Sequence, residues 1–147
     1  MDEKGKGTYN AVVIGAGTAG LVTAAGTAGL GGRVALIERH KMGGDCLNFG
    51  CVPSKALISS ARVIDQIRNA EKWGLDKQDP QFEFNKIFER MRERRAVIEP
   101  HDSRERYESL GVDVFHGDAK FLSPYEVEVD GIRLKAKNFV IATGRRA

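Results

Sequence analysis

The feature that most constrains the fold of this chain is a glycine-rich stretch placed directly after an apolar run. Residues 11–14 lead straight into Gly15-x-Gly17-x-x-Gly20, and the residues that follow, "LVTAAGTAGLGG", are small and apolar. Such residues suit a helix that packs closely on a sheet. Residues 33–38 then form a short β-branched run typical of a buried parallel strand. Strand, glycine-rich turn, helix and strand together predict one βαβ unit.

The three glycines have different steric uses in a turn that binds a dinucleotide. Gly15 permits the tight turn, Gly17 allows the backbone to approach a pyrophosphate, and Gly20 lets helix and strand pack closely. Glu38 follows Gly20 by 18 residues, the approximate spacing of a carboxylate that binds ribose hydroxyls. The alternatives are a glycine-rich turn before any helix and a solvated charge at a strand end. The strand and helix around the motif favour nucleotide binding.

Both cysteines of the chain fall within the thirteen residues "GGDCLNFGCVPSK". Five residues of regular helix rise about 7.5 Å, too far for a disulfide. A Cys46–Cys51 bridge therefore requires a distorted turn between them, and Gly50 can absorb the distortion. A helix beginning near Pro53, where a missing N–H is tolerated, would favour a thiolate at Cys51. Lys55, four residues after Cys51, projects toward the same side, although a lone lysine is more often a surface residue.

Two other interpretations of the cysteines are a pair of unrelated buried thiols and a metal site. A structural zinc ion usually takes four ligands, and the three histidines show no finger-like spacing (His40, His101 and His116). We therefore predict no metal site.

The remaining chain alternates helical and strand patterns. Residues 53–71 and 84–98 have helical stripes, Pro100 interrupts the second, and a further helical piece ends at Gly111. Short alternating runs follow, with an Asp130-Gly131 hairpin signal. The last strand ends in Thr143-Gly144, which places backbone at the carboxyl edge of the sheet, where open α/β folds bind ligands. Four arginines alternate with glutamates and predict a solvated, salt-bridged face (Arg90, Arg92, Arg94 and Arg95).

Length, charge and hydropathy limit the number of domains, the kinds of partner and the location that we expect for this protein. At 147 residues the chain suits one domain, and a net charge of +3 gives little reason to expect nucleic acid or a membrane surface as a partner. The polar N-terminus has no signal-peptide pattern, and no apolar run approaches the ~18 residues of a membrane span. We therefore expect a cytoplasmic protein, in which two neighbouring cysteines are more often catalytic or metal-binding than structural.

Three segments in this order, "VVIGAGTAG", "GGDCLNFGCVPSK" and "IATG", resemble the start of the class I pyridine nucleotide-disulfide oxidoreductases. That family includes dihydrolipoyl dehydrogenase, glutathione reductase and mercuric reductase. The resemblance implies an α/β fold: a Rossmann-like FAD-binding domain with a parallel sheet, flanking helices and a β-meander insertion. Residues 1–147 would form its N-terminal part, and we expect the NAD(P)-binding and dimerisation domains to be absent from this chain.

The resemblance also implies roles for particular residues. Cys46 and Cys51 would form the redox-active disulfide, with Cys51 next to the flavin and Cys46 exchanging with substrate, and Lys55 would lie near the reactive flavin nitrogen. Glu38 would bind the adenosine ribose, and the backbone of Ala119 would meet the adenine. The full set of implied cofactor-binding residues is Gly15, Gly17, Thr18, Ala19, Gly20, Glu38, Arg39, Gly43, Gly44, Asp45, Cys46, Cys51, Lys55, Ala119, Ala142, Thr143 and Gly144.

The implied reaction passes electrons from NAD(P)H through FAD to the disulfide, and on to a small disulfide, dithiol or metal-ion substrate in a homodimer. This fragment alone is expected to be inactive. Asp45 replaces the family's usual Thr, and with "IEPHDS" it points to the mercuric reductase-like branch. Dihydrolipoyl dehydrogenase and glutathione reductase are the alternatives within the family. A FAD protein without disulfide chemistry and a stand-alone nucleotide-binding module are alternatives of another class. The residues of this chain identify neither the substrate nor which of NADH and NADPH is the electron donor.

Overall fold

The computed structural model describes residues 5–144, and it confirms the predicted βαβ unit. Strand β1 (Thr8–Ile14), helix α1 (Thr18–Gly29) and strand β2 (Val34–Glu38) follow one another. The two strands pair in parallel, with Ala11 opposite Val34. Parallel pairing requires a crossover, and α1 supplies it.

The helices and strands that follow have the predicted order, except for the short helix at Gly44–Asn48, which was not predicted. The helices are α2 (Gly44–Asn48), α3 (Cys51–Arg68), α4 (Phe84–Ile98) and α5 (Arg104–Ser109), with short 3₁₀ turns at Ala70–Trp73 and Glu99–Asp102. The strands are β3 (Val112–His116), β4 (Lys120–Ser123), β5 (Glu126–Val129) and β6 (Ile132–Ile141).

One six-stranded sheet contains all of these strands, in the order β3-β2-β1-β6-β5-β4. Its first four strands are parallel, and β4, β5 and β6 form the predicted antiparallel meander. Strand β6 serves both parts, because Lys135 lies opposite Glu126 of β5 on one side and Thr8 of β1 on the other. The β5–β6 turn has positive φ angles at Asp130 (47°) and Gly131 (80°), as a tight hairpin turn demands.

The core consists of two apolar clusters. The first joins side chains of β1, β2 and β3 to Leu21 and Ala24 of α1 and Tyr107 of α5. The second joins other side chains of β1, β2 and β3 to those of β5 and β6, among them Val127 and Leu134. The parallel strands are therefore covered by α1 on one side and by the meander on the other.

Helices α3 and α4 differ from the prediction. Helix α3 begins at Cys51, so Pro53 is its third residue and not its first. Ala56 is the buried residue of α3, and α4, which lies wholly within the described residues, has no buried residue. Val97, near the end of α4, is 65% exposed. The helical period was right, but the two helices pack mainly against each other.

Within residues 5–144, none of the helices combines the length and apolarity required to cross a membrane.

Candidate functional site

The glycine-rich turn lies at the carboxyl edge of the sheet. Gly15 has a φ of 105°, and a Cβ there would overlap the carbonyl oxygen of Ala142. The N–H of Gly15 donates to the carbonyl of Ile37, and the N–H of Ala142 donates to the carbonyl of Ile14. The turn is thus held between the ends of β2 and β6, and only glycine fits at its first position.

The other two glycines of the motif also have the predicted local geometry. A Cβ on Gly20 would overlap the carbonyl oxygen of Gly15, so the close contact between helix and turn requires glycine. Gly17 has ordinary extended angles (φ −79°, ψ −177°), and the nearest atom to a Cβ there is the Cα of Gly44, 4.0 Å away. Gly17 is therefore required neither by its backbone angles nor by packing within the chain.

Glu38 is fixed at the end of β2 by two backbone donors. Its Oε2 accepts a 2.6 Å hydrogen bond from the N–H of Ala16, and its Oε1 accepts a 2.8 Å bond from the N–H of His40. Each carboxylate oxygen keeps a further lone pair. The carboxylate is oriented and can still accept hydrogen bonds from a ligand.

An open cleft of about 580 Å³ runs along this edge of the sheet. It brings together residues from the turn, from the end of β2, from α2 and from the segment after β6. Its lining is Gly17, Thr18, Ala19, Glu38, Arg39, His40, Lys41, Gly44, Asp45, Cys46, Asn48, Phe49, Ala142, Thr143 and Gly144. Eleven of these are among the residues implied by the sequence.

The Gly43–Gly44 pair lets α2 touch the glycine-rich turn. Both residues have positive φ angles, 82° and 55°. A Cβ on Gly44 would lie 2.6 Å from the Cα of Gly17, and a Cβ on Gly43 would overlap Leu47. Gly44 lines the cleft, whereas Gly43 is buried beneath it. Asp45 is exposed at the start of α2 and lines the cleft as well.

The two cysteines are neighbours across an interrupted helix. Cys46 lies in α2, Cys51 begins α3, and Phe49 and Gly50 separate the two helices. The N–H of Gly50 donates to the carbonyl of Asp45 at 2.6 Å. The predicted distortion between the cysteines is therefore present, and both thiols are free.

The thiols interact with each other and with the glycine-rich turn. A hydrogen bond that the Cys46 thiol makes to the Cys51 side chain, together with burial, favours the protonated thiol and raises the pKa of Cys46, and a hydrogen bond from the Thr18 side chain acts in the opposite direction. Cys46 is half-buried and Cys51 is exposed. We expected Cys46 to be the thiol open for exchange, but in this chain Cys51 is the more accessible one.

Some of the implied residues lie outside the cleft lining: Gly15, Gly20, Gly43, Cys51, Lys55 and Ala119. Gly15 and Gly20 shape the turn beneath it. Lys55 is exposed one helical turn beyond Cys51. Ala119 is half-buried and packs against the second apolar cluster.

Sequence reasoning missed four residues of the lining. His40 and Lys41 follow Glu38 and Arg39 at the end of β2, and the rule that ligands bind beyond the carboxyl ends of parallel strands could have identified them. Asn48 and Phe49 lie between the cysteines, and their place in the cleft depends on the short helix α2, which no sequence pattern indicated.

The prediction that the four arginines of α4 form one solvated face is wrong. Arg92 and Arg94 are exposed, but Arg90 and Arg95 are half-buried. Arg90 donates to the carbonyl of Ala56, and Arg95 donates to Oδ1 of Asn48. Two of the four charges therefore hold helices together.

Comparison with known proteins gives concordant matches. Residues 9–147 match the model of the family described as "Pyridine nucleotide-disulphide oxidoreductase". A dihydrolipoyl dehydrogenase of Acholeplasma laidlawii is 34% identical over 142 residues, which are 95% of this chain and 41% of that protein. A mercuric reductase of Lysinibacillus sphaericus is 31% identical over 136 residues, 92% of this chain and 25% of that protein.

A solved structure is similar in fold as well. The HOCl-induced flavoprotein disulfide reductase RclA from Escherichia coli superposes with a TM-score of 0.75 at 29% sequence identity, covering 95% of this chain and 29% of that one. This chain thus spans less than half the length of each of these three proteins.

Proposed function

The chain belongs to the pyridine nucleotide-disulphide oxidoreductase family, and from this premise we propose that it is the FAD-binding N-terminal part of an NAD(P)H-dependent reductase. Electrons would pass from NAD(P)H through FAD to a Cys46–Cys51 disulfide and then to a small substrate, as in a mercuric reductase. One observation carries the proposal: a single cleft contains the start of α1, the oriented carboxylate of Glu38 and the thiol of Cys46.

The residues of the cleft fit a dinucleotide. Gly17 has no side chain, so the backbone of the turn is accessible from the cleft. Thr18 and Ala19 begin α1, and the first N–H groups and the dipole of this helix favour a pyrophosphate. Glu38 has lone pairs for the ribose hydroxyls, and Arg39 and Lys41 add positive charge. Bound FAD supplies two-electron transfer between a nicotinamide and the disulfide.

The two cysteines would perform the exchange with substrate. Against a disulfide substrate, the Cys46 thiolate attacks one sulfur, the substrate S–S bond breaks, and the released thiolate takes a proton. Cys51 then attacks the sulfur of Cys46, which releases the second thiol and closes the Cys46–Cys51 bond. Two electrons have moved from the cysteine pair to the substrate. With a dithiol substrate, the same steps run in reverse.

Relatives with two different activities support the proposed type of reductase. Dihydrolipoyl dehydrogenases and mercuric reductases both match over most of this chain. A dihydrolipoyl dehydrogenase or glutathione reductase type of enzyme is therefore the second candidate. In each case we propose a homodimer of a longer protein with a small-molecule substrate. Assays of the longer protein with mercuric ion, lipoamide and glutathione disulfide separate these candidates.

Electron counting on the protein loaded with FAD tests the proposal. A dithionite titration should consume two more electrons per chain in the wild type, oxidised beforehand, than in the Cys46→Ser variant, because only the wild type has a disulfide to reduce. Bound flavin should remain reducible in both proteins. Equal electron uptake would leave a FAD protein without disulfide chemistry, and failure to bind FAD would contradict the cofactor assignment.

A further inference from the structure

Helix α4 contacts both of the helices that carry the cysteines, and it does so through two arginines. Nη1 of Arg95 donates to Oδ1 of Asn48 in α2 at 3.2 Å. Nη1 of Arg90 donates to the carbonyl oxygen of Ala56 in α3 at 3.0 Å, with longer contacts to the hydroxyls of Ser59 and Ser60. Helix α4 thus contacts both of the helices that carry the cysteines, α2 at Asn48 and α3 at Ala56.

Asn48 connects Arg95 to the residues at the start of α2. It lies two residues after Cys46, and its Nδ2 donates to the carbonyls of Met42 at 3.0 Å and of Gly44 at 2.9 Å. The amide therefore uses its oxygen for Arg95 and both of its hydrogens for the loop that opens α2. Removal of Arg95 would leave the amide oxygen without this donor and would remove this hydrogen bond between α2 and α4.

Helix α4 packs against α3, but this packing is shallow. No residue of α4, which lies within the described range, is buried, and Ile87 and Met91 are only half-buried. Arg95 also pairs with Glu99 one helical turn later, with 3.6 Å between Nη2 and Oε2. The guanidinium therefore contacts Asn48 of α2 through Nη1 and Glu99 through Nη2.

We propose that Arg95 is a positioning residue for the cysteine pair, acting through Asn48. The inference depends on the proposed function, because it assumes that the pair cycles between dithiol and disulfide. A dithiol whose two sulfurs are already held together loses less conformational freedom when the bond forms. By restraining α2 against α4, Arg95 raises the effective concentration of each thiol at the other and so favours the disulfide.

The test is a redox equilibrium with glutathione on the purified chain. The Cys46–Cys51 dithiol gives two electrons to one glutathione disulfide; the S–S bond of Cys46–Cys51 forms, that of glutathione breaks, and two protons end on two glutathione thiols. The fraction of disulfide is measured by alkylation and mass. Arg95→Met should lower the equilibrium constant for disulfide formation by about three- to tenfold, which for a two-electron couple is about 15–30 mV toward easier reduction.

Two further variants separate positioning from general stability. Arg94→Met removes an exposed arginine from the same helix and should leave the equilibrium constant unchanged. In Asn48→Ala, adding Arg95→Met should have little further effect, because the action passes through Asn48. Arg95→Lys keeps the charge but lacks the planar guanidinium, and it replaces Arg95→Met if circular dichroism shows that protein to be unfolded.

The outcomes distinguish the two levels of the proposal. If the wild-type chain forms no intramolecular disulfide, the proposed function fails and this inference fails with it. If the wild type forms the disulfide but Arg95→Met matches Arg94→Met, or forms it more readily than the wild type, the proposed function stands and the role of Arg95 is wrong.

Discussion

The backbone N–H of Ala16 donates a 2.6 Å hydrogen bond to Oε2 of Glu38, which joins the glycine-rich turn after β1 to the end of β2. Ala16 is buried. Loss of the acceptor would therefore leave a buried N–H without a hydrogen bond, which costs free energy. The residue predicted to bind a ribose therefore also stabilises the turn beneath the cleft. The proposed ribose contact and the stability of the turn would therefore depend on the same carboxylate.

Glu38→Gln tests that connection. The amide keeps one acceptor oxygen and replaces the other with a donor, so one of the two backbone N–H groups loses its partner. We expect a loss of about 1–3 kcal/mol in the free energy of unfolding, measured with urea, and weaker FAD binding, measured by flavin fluorescence. Glu93→Gln, at an exposed position of α4, is the control and should change neither.

Two glycines of α1 should respond in opposite directions to alanine. In Gly20→Ala the new Cβ overlaps the carbonyl oxygen of Gly15, so we expect destabilisation of at least about 1–3 kcal/mol. In Gly26→Ala the Cβ meets nothing within 4 Å, and the better helix propensity should stabilise by about 0.5–1 kcal/mol. Urea unfolding of both variants measures the difference. Equal effects would contradict the close packing of helix on turn.

Tyr9 should make the protein less stable in strong alkali. Burial, then the 2.7 Å hydrogen bond to Asp113, raises its pKa to about 12. The folded state thus favours the neutral phenol, so this stability is fully present below pH 10, near the unfolded pKa, and is lost as the pH rises toward 12. Unfolding experiments from pH 8 to 12 should show a flatter dependence in Tyr9→Phe, whereas Tyr125→Phe, at a position 70% exposed, should follow the wild type.

The thiol of Cys46 should ionise differently in two variants. The largest cause of its raised pKa is the hydrogen bond that it makes to the Cys51 side chain, whereas the Thr18 side chain lowers the pKa. Cys51→Ala should therefore lower the pKa of Cys46 and speed its alkylation near pH 8, because more thiolate is present. Thr18→Val should raise the pKa and slow the reaction. The pH profile of iodoacetamide labelling, followed by mass spectrometry, checks both, and shifts of the same sign would contradict the assignment.

Asp45 should oppose the binding of an anionic cofactor. Its carboxylate is exposed at the start of α2 and lines the same cleft as Thr18 and Ala19. Since like charges repel, Asp45→Asn should bind FAD about three- to tenfold more tightly at low salt, with a smaller gain at high salt. Asp76→Asn, in an exposed loop, is the control. Weaker binding in Asp45→Asn would show that the carboxylate contacts the cofactor favourably.

Motif spacing predicted the site best where local sterics set it. The positions of Gly15 and Gly20 follow from a turn that admits no Cβ, and the break between Cys46 and Cys51 follows from helix geometry. Prediction was poorer where burial decides. The stripe of α4 was identified, yet its side chains remain largely exposed, because a period indicates which residues share a face but not what covers it.

The arginines of α4 show that the burial of polar side chains was also hard to predict from a local pattern. Arg90, Arg92, Arg94 and Arg95 are alike in sequence, and alternation with glutamate favoured one solvated face. The structure separates them, since Arg90 and Arg95 donate to α3 and α2 while Arg92 and Arg94 are exposed. Their partners lie 34 and 47 residues away in the chain, beyond the range of any local pattern.

The sequence by itself determined the βαβ unit, the longer helices, the glycine-rich turn and the hairpin at Asp130-Gly131, because steric limits on the backbone and apolar periods act between near neighbours. Only the tertiary structure decided that Ala16 binds Glu38 and that Arg95 reaches Asn48. Those contacts depend on how the sheet brings distant segments to one edge, and the free energy that selects them comes from packing across the whole chain.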